Sequence, residues 1–459
     1  MQAAQLRLFS PSDEAECYHD TGRYGYFATL VKDDKGVMRQ DCYSLSFMPT
    51  VLSRLDPKRD TWLSQAEFVR PNRRVVNLAR IGLLFADLDT YNMPWSAGLD
   101  PDRLAWMVMD HCRNEGIPEP SILIFSGRGI QAKWLLDGVL PRAALPRWNA
   151  CQRHLVDRLA ALGADPAAKD ASRVLRLVNT VNSKSGEVCR VVHVTNGQDG
   201  EPVRHNFEYL AEALLPVSRL ELESQRGQRK ERAGRLSVVQ GAKTGGLNKF
   251  SGRKLAWDRL EDLRTLAELR GGVGDSERTV HLFWRLNFLL LSGATNSAMM
   301  YHEAVALGRE LDPSWSYRSA ELMTLYAKAK AHEAGEKVEF GGRQLSPLYT
   351  PKNDTLINTF QITRDEQRQL RTLIDQDMAA ERHRKRDEAR RRAAGAVDRS
   401  AYLDAAEAKR GQAQALKAQG LSVRAIAAQM GVSVGAVSGY LRVDGVQGPC
   451  VLQAAVGSA

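Results

Sequence analysis

The chain has 459 residues, 43% of them hydrophobic and 26% charged, with a formal net charge of +10. At about 100–200 residues per domain, that length predicts two to four domains, and the composition excludes a fibrous, collagen-like or wholly disordered chain. A run of about 18 uncharged apolar residues is absent, which excludes a membrane-spanning helix. The first twenty residues carry Asp13, Glu14 and Glu16 without an apolar block, so no signal peptide is read there. The six cysteines (17, 42, 112, 151, 189 and 450) include no Cys-x-x-Cys pair, which fits a reducing cytoplasm and neither a disulfide scaffold nor a zinc ribbon.

The charge is unevenly spread. Residues 1–215 hold 26 basic and 26 acidic residues, so the whole net charge of +10 lies after residue 215. A neutral front half and a basic back half suggest that the back half meets a polyanion.

Taken in chain order, 75–89 reads as a buried strand ending in acids. Residues 102–114 have helical spacing, and 121–125 and 130–136 read as two strands joined by Ser126-Gly127-Arg128-Gly129. Residues 146–162 form an amphipathic helix with Trp148, Cys151, Leu155, Leu159 and Leu162 on one face, and 190–195 alternates as a strand. Strands and helices interleave, so 1–215 is expected to be one α/β or α+β domain. A polar linker follows over 216–245, then a helical bundle over 246–340 and a loop with a charged, basic helix over 341–399. The last compact unit is 400–443, and 444–459 reads as a disordered tail.

Asp87 and Asp89 are two apart on the first strand, so both carboxylates point to one face. Like charges that close repel unless a cation lies between them, and Mg²⁺ or Mn²⁺ suits carboxylate oxygens and phosphates. Asp-x-Asp also serves simply to cap a loop. Asp165 or Asp170 supplies a third carboxylate. Arg173, Arg176, Asn179, Thr180, Asn182 and Lys184 offer donors suited to triphosphate oxygens, and Arg128 and Lys133 flank a strand carrying Gln131.

These residues, in this order, resemble the archaeo-eukaryotic primase superfamily, and within it the RepB-type replication primases of plasmids and mobile elements. The resemblance covers residues 70–195 best. Phe85-Ala-Asp87-Leu-Asp89 matches the family's first metal motif. Ser126-Gly-Arg128-Gly-Ile-Gln131-Ala-Lys133-Trp134 is similar to the second, where many members carry a phosphate-contacting His and this chain has Gln131. Gly163-Ala-Asp165 is similar to the third, which favours Asp165 over Asp170. Residues 176–184 match an Arg-to-Lys run in which Asn179 replaces the usual glycine, a substitution that tolerates a left-handed backbone.

The resemblance implies an RRM-like α/β catalytic core in which Asp87, Asp89 and Asp165 hold two Mg²⁺ or Mn²⁺ ions. It further implies that Arg128, Gln131, Lys133, Arg176, Asn182 and Lys184 contact an NTP or dNTP, that the template is single-stranded DNA, and that the helical bundle helps to position it. A replicative helicase is a further partner left open.

Residues 421–441 carry a second signal. The segment 423–430 reads as a short helix with Ile426 and Ala427 inward. Gly431 makes the turn, Ser433 caps a second helix, and Val434, Val437 and Leu441 anchor it while Tyr440 stays exposed. The pattern resembles the helix-turn-helix of site-specific recombinases and small regulators. That implies duplex DNA contacts from Arg424, Ser433, Ser438 and Arg442. No Gly-x4-Gly-Lys-Ser/Thr is present, which argues against a P-loop ATPase, and no His pair of the nickase type exists. The expectation is a cytoplasmic primase or primase-polymerase of a plasmid or mobile element. The alternatives are a non-enzymatic replication initiator or copy-number regulator, and a transcriptional regulator with an unrelated sensor domain.

Overall fold

A computed structural model describes residues 9–216, 245–340, 342–395 and 399–442. Nearly all of the expected linker and all of the expected tail lie outside the described residues. The chain divides into two compact units, Met1–Ile374 and Asp375–Ala459.

The first unit begins with α1 (Pro11–Glu16), β1 (Tyr26–Lys32), β2 (Met38–Ser44), α2 (Met48–Leu52), β3 (Thr61–Ser64), β4 (Ala66–Phe68) and β5 (Leu78–Leu88). It continues through α3 (Pro101–Asn114), β6 (Ile122–Phe125), β7 (Ile130–Pro141), α4 (Leu145–Arg158), β8 (Val174–Arg176), β9 (Arg190–Val194) and α5 (Phe207–Leu214). The sheet order is β8-β3-β1-β4-β5-β7-β6-β9, with β2 attached to β1. Every strand pairing in it is antiparallel. Of the two classes read from the sequence, the structure is therefore α+β.

β5 is the central strand, and its two edges are covered differently. On one side it pairs with β7 from Leu88↔Ile130 through Arg80↔Pro141. On the other side β4 reaches only Leu78 to Ile81. Beyond that point side chains and a loop take over the backbone groups, as burial demands. Trp148 Nε1 donates to the Leu83 carbonyl at 2.9 Å. The Gln152 amide accepts from the Phe85 N–H at 3.3 Å and donates to its carbonyl at 2.6 Å. Both residues lie on α4, whose apolar stripe the sequence had marked.

The helices that follow share the same continuous core, which runs from Phe9 to Leu373. They are α6 (Gly245–Leu269), α7 (Arg278–Ser292), α8 (Met300–Leu311) and α9 (Met323–Glu333). Glu303 on α8 is buried and accepts from the Val75 and Val76 N–H groups at 3.1 and 3.2 Å, fixing the turn that leads into β5.

Two expectations are corrected here. The stretch 341–399, expected as a loop and one charged helix, is more structured than that: β11 (Arg343–Leu345) pairs with β10 (Val338–Phe340) at the end of the expected bundle, and α10 (Asn353–Phe360) follows. Nor does its charged part form one helix. α11 (Arg364–Gln369) stops, and α12 (Gln376–Ala393) begins after a break. The buried Asp262 carboxylate on α6 makes that break. It accepts from the N–H groups of Arg371, Thr372 and Leu373 at 2.7, 2.6 and 2.9 Å, and from the Thr372 hydroxyl at 2.7 Å. Those amides cannot also serve a continuous helix.

The second unit holds α12, α13 (Arg399–Ala418), α14 (Val423–Met430) and α15 (Val434–Tyr440). Ala413, Leu416, Ile426, Ala427 and Val437 form its small core. Gly431 is left-handed, and Ser433 caps α15 by accepting from the Ala436 N–H at 3.2 Å. Ile426 and Ala427 face inward as expected. Val434 does not: it is 47% exposed, while Tyr440 packs against the core. As the first residue of α15, Val434 lies ahead of the face that meets α14.

Glu14 and Lys133 are fully buried and paired at 2.5 Å. Removing one partner of such a pair typically costs about 3–5 kcal/mol, because the other charge is stranded. Lys133→Met is expected to destabilise the first unit by that amount in urea titrations. Adding Glu14→Gln to it is expected to restore part of the loss. Asp262→Ala is expected to cost about 1–3 kcal/mol for the orphaned amides and to raise hydrogen exchange at 371–373.

Candidate active site

Asp87 lies near the end of β5 and Asp89 stands at the start of the short turn after it. The loop after α4 runs back along the free edge: the Asp89 N–H donates to the Gly163 carbonyl and the Asp165 N–H to the Asp87 carbonyl, both at 2.8 Å. This strand-like pairing brings Asp165 beside Asp87. Burial, and then the charges of Asp89 and Asp165, push the Asp87 carboxyl up to about 7, while Arg173 and Arg176 pull it down. Asp170 is turned elsewhere. It accepts from the Ser172 N–H and hydroxyl at 3.1 and 2.7 Å, and pairs with Arg173 at 3.1 Å.

The approach is close because glycines line it. A Cβ on Gly129 would stand 2.2 Å from the Leu88 carbonyl oxygen, and one on Gly127 would stand 2.6 Å from Asn182 Cβ. Gly163, at φ +81°, lies against the Asp89 carbonyl. The turn at 126–129 thus sits on the end of β5 and presents Arg128, whose guanidinium stacks 3.8 Å from the Tyr91 ring. Tyr91 is 41% exposed, and its phenol is pushed up by burial and then by the charge of Asp89. Sequence reasoning passed over Tyr91; an aromatic two residues past the second acid was the available signal.

Asn182 ties the next segment down. Its amide donates to the Ser126 carbonyl at 2.8 Å and accepts from the Lys184 N–H at 3.1 Å. Lys184 is exposed beside it. Asn179 adopts φ 58°, the left-handed conformation expected for the residue that stands in place of glycine.

Three expected phosphate contacts are engaged otherwise. Lys133 is wholly buried, bonded to Glu14, and its ammonium lies 4.6 Å from the Tyr18 ring centroid. It belongs to the core, because Glu14, 119 positions earlier, lies under the same face of the sheet. Gln131 sits directly across from Asp87, but its amide, in the orientation that satisfies both partners, donates to the Arg176 carbonyl at 3.2 Å and accepts from the Arg176 N–H at 2.9 Å. The Arg176 guanidinium is bound to Asp60 and lies 4.4 Å from the Trp62 ring. Burial opposes ionisation of Asp60, yet hydrogen bonds from Ser183 and Arg176 hold it below the usual carboxylate range. Asp60 and Trp62 were missed, since nothing local marks them as partners of residue 176.

The donor set of three carboxylates, all oxygen ligands, is of the kind that suits Mg²⁺ or Mn²⁺. Among the described residues, however, no three His, Cys, Asp or Glu side chains converge closely enough to hold a metal ion. No disulfide joins the described cysteines, and no described helix is long and apolar enough to cross a membrane.

No family model matches the chain. A replication protein of Clostridium perfringens is 27% identical over 307 residues, covering 67% of this chain and 66% of the relative's own length. The chain is similar to a replication protein. That agrees with the role in replication that the resemblance implies. Among solved structures, the AEP domain of the primase-polymerase of cyanophage S-2L is 16% identical, with 43% of this chain and 91% of that one covered at a TM-score of 0.31. The catalytic domain of primase RepB′ in complex with initiator DNA is 16% identical, covering 50% of this chain and 97% of that one at a TM-score of 0.28.

The glycine contacts give a paired prediction. Gly129→Ala is expected to destabilise the first unit by about 1–3 kcal/mol through overpacking. Gly138→Ala, on β7 nine residues further along with nothing within 4 Å of the added carbon, is expected to change stability little. Thermal unfolding of the two variants side by side checks this.

Proposed function

We propose that the chain is a DNA primase or primase-polymerase serving replication of a plasmid or mobile element. The observation that carries this reading is the gathering of Asp87, Asp89 and Asp165 at one end of β5, with Arg128 and Lys184 on adjoining turns. The similarity to a replication protein supports it, and the RRM-like description of the core rests on the resemblance alone.

In this reading Asp87, Asp89 and Asp165, spaced too openly to grip an ion as they stand, would be the carboxylates that close on Mg²⁺ or Mn²⁺. The bound ions would lower the pKa of an attacking 3′-hydroxyl and neutralise charge on the triphosphate. Arg128, steadied by Tyr91, and Lys184, on a segment pinned by Asn182, orient phosphate oxygens. Arg176 adds positive potential from its seat on Asp60 without reaching out. Gln131 and Lys133 act one step back, by holding that segment in place. In the second unit, Arg424 and Arg442 at exposed positions contact duplex phosphates, and Ser433 and Ser438 on the exposed side of α15 approach the groove. A replicative helicase remains a partner to be sought.

A second reading is a replication initiator without catalysis. It is favoured by the internal engagement of Gln131, Lys133 and Arg176 and by the open spacing of the carboxylates.

Template-directed synthesis separates the two. With single-stranded DNA, labelled NTPs or dNTPs, and Mg²⁺ or Mn²⁺, the chain is expected to make short products. Asp87→Asn/Asp89→Asn is expected to reduce them to background. Arg128→Ala is expected to lower kcat/KM about tenfold or more, the scale of one charge-assisted hydrogen bond. No product from the unaltered chain, with either metal and either nucleotide set, would leave the initiator. For the second unit, Arg424→Ala/Arg442→Ala is expected to weaken duplex binding and to flatten its salt dependence by about 0.9 per lost phosphate contact.

A further inference from the structure

α4 carries an arginine that the carboxylate site does not use. Arg153 lies next to Gln152, the residue bonded to both backbone groups of Phe85. Its guanidinium meets that of Arg253, from α6, over Gly293, the left-handed residue that ends α7. A Cβ on Gly293 would stand 2.9 Å from Arg153 Nη1 and 3.5 Å from Arg253 Nε. The two cations therefore converge on one point. Neither has a hydrogen bond or ion pair with the described residues. The α7 C-terminus offers only the partial negative charge of a helix end.

Two half-buried guanidiniums without an anion are unfavourable, because each has given up part of its water and faces a like charge. Burial, and then Arg253, hold the Arg153 pKa down to about 10, while Asp157, one turn further on, opposes them. Burial alone lowers Arg253. A half-buried like-charged pair is stabilised by an oxyanion accepting from both planar forks, and a phosphoryl group has the oxygens to do so. Placement adds to this. The notch lies where the helices meet α4, and the excess positive charge of the sequence begins in the same part of the chain.

We infer that Arg153 and Arg253 form a phosphate-binding notch between α4 and the α7 terminus, distinct from the carboxylate site. It takes either a phosphodiester of a single strand or a free polyphosphate. The inference leans on the proposed function only for which molecule bears the phosphate.

The test is fluorescence anisotropy of a labelled oligothymidylate on the full chain in EDTA, with inorganic pyrophosphate as competitor. Arg153→Gln and Arg253→Gln are each expected to weaken binding of the strand about three- to tenfold and to lower its salt slope by about 0.7. Lys35→Gln, on the β1–β2 turn, is expected to leave binding unchanged. Pyrophosphate competition that disappears in the Gln variants would identify a polyphosphate ligand. Weakened strand binding without such competition would identify the phosphodiester. Either result supports the notch. Unchanged affinity of both variants for both probes overturns it. Should a Gln variant fail to fold, Arg153→Lys and Arg253→Lys keep the charge, lose the fork, and are read the same way. Because no nucleotide is incorporated in EDTA, arginine-dependent binding by a chain that makes no primer would sink the primase reading and leave this one standing.

Discussion

One face of β7 holds the cationic side of the site in place. Gln131 and Lys133 are two residues apart, so both point the same way. Gln131 grips the Arg176 backbone, and Lys133 binds Glu14, whose other oxygen accepts from the Val178 N–H at 2.9 Å. Two links from one strand thus fix β8 and the turn that follows it over Asp87. If either link failed, Arg176 would lose its register against Asp60, and the loop carrying Asn182 and Lys184 would lose its footing. The polar groups concerned are buried, so each must stay paired or strand its partner. That requirement makes the arrangement nearly all-or-none.

The acidic side is fixed by a different device. Its geometry is set by backbone contact rather than by side-chain packing. The 163–165 loop pairs with the end of β5, and the 126–129 turn rests on Leu88. Both approaches need glycine, at 163 and at 129. Repulsion among Asp87, Asp89 and Asp165 is then opposed by main-chain hydrogen bonds, which do not relax when a carboxylate changes its charge. The site is held in form by parts that do not take part in its chemistry.

Much of this was legible. The apolar run ending at Asp87 and Asp89 marks a buried strand by its own composition. Gly163 and Asp165 follow an amphipathic helix whose stripe is visible in Trp148, Cys151 and Leu155. Asn179 in a glycine's place foretold its left-handed backbone. What the chain did not reveal was direction. Lys133 and Arg176 read as free cations, because their partners Glu14 and Asp60 are more than a hundred positions away. The helix break at 370 was hidden for the same reason: it is made by Asp262, not by any proline or glycine nearby. Val434 shows the local limit, since helical periodicity marks a face but not where the neighbouring helix ends.

The middle of β5 is bordered by α4 through Trp148 and Gln152 rather than by another strand. An unfilled edge in the centre of a sheet is an open template, ready to accept a strand from any passing chain. A side-chain amide that bonds one residue's N–H and carbonyl together imitates a strand for one step and offers nothing further to extend. The gap beside β5 is therefore closed without offering a template for another strand, even though β5 itself is apolar. A glutamine on a helix thus stands where a missing strand would have paired.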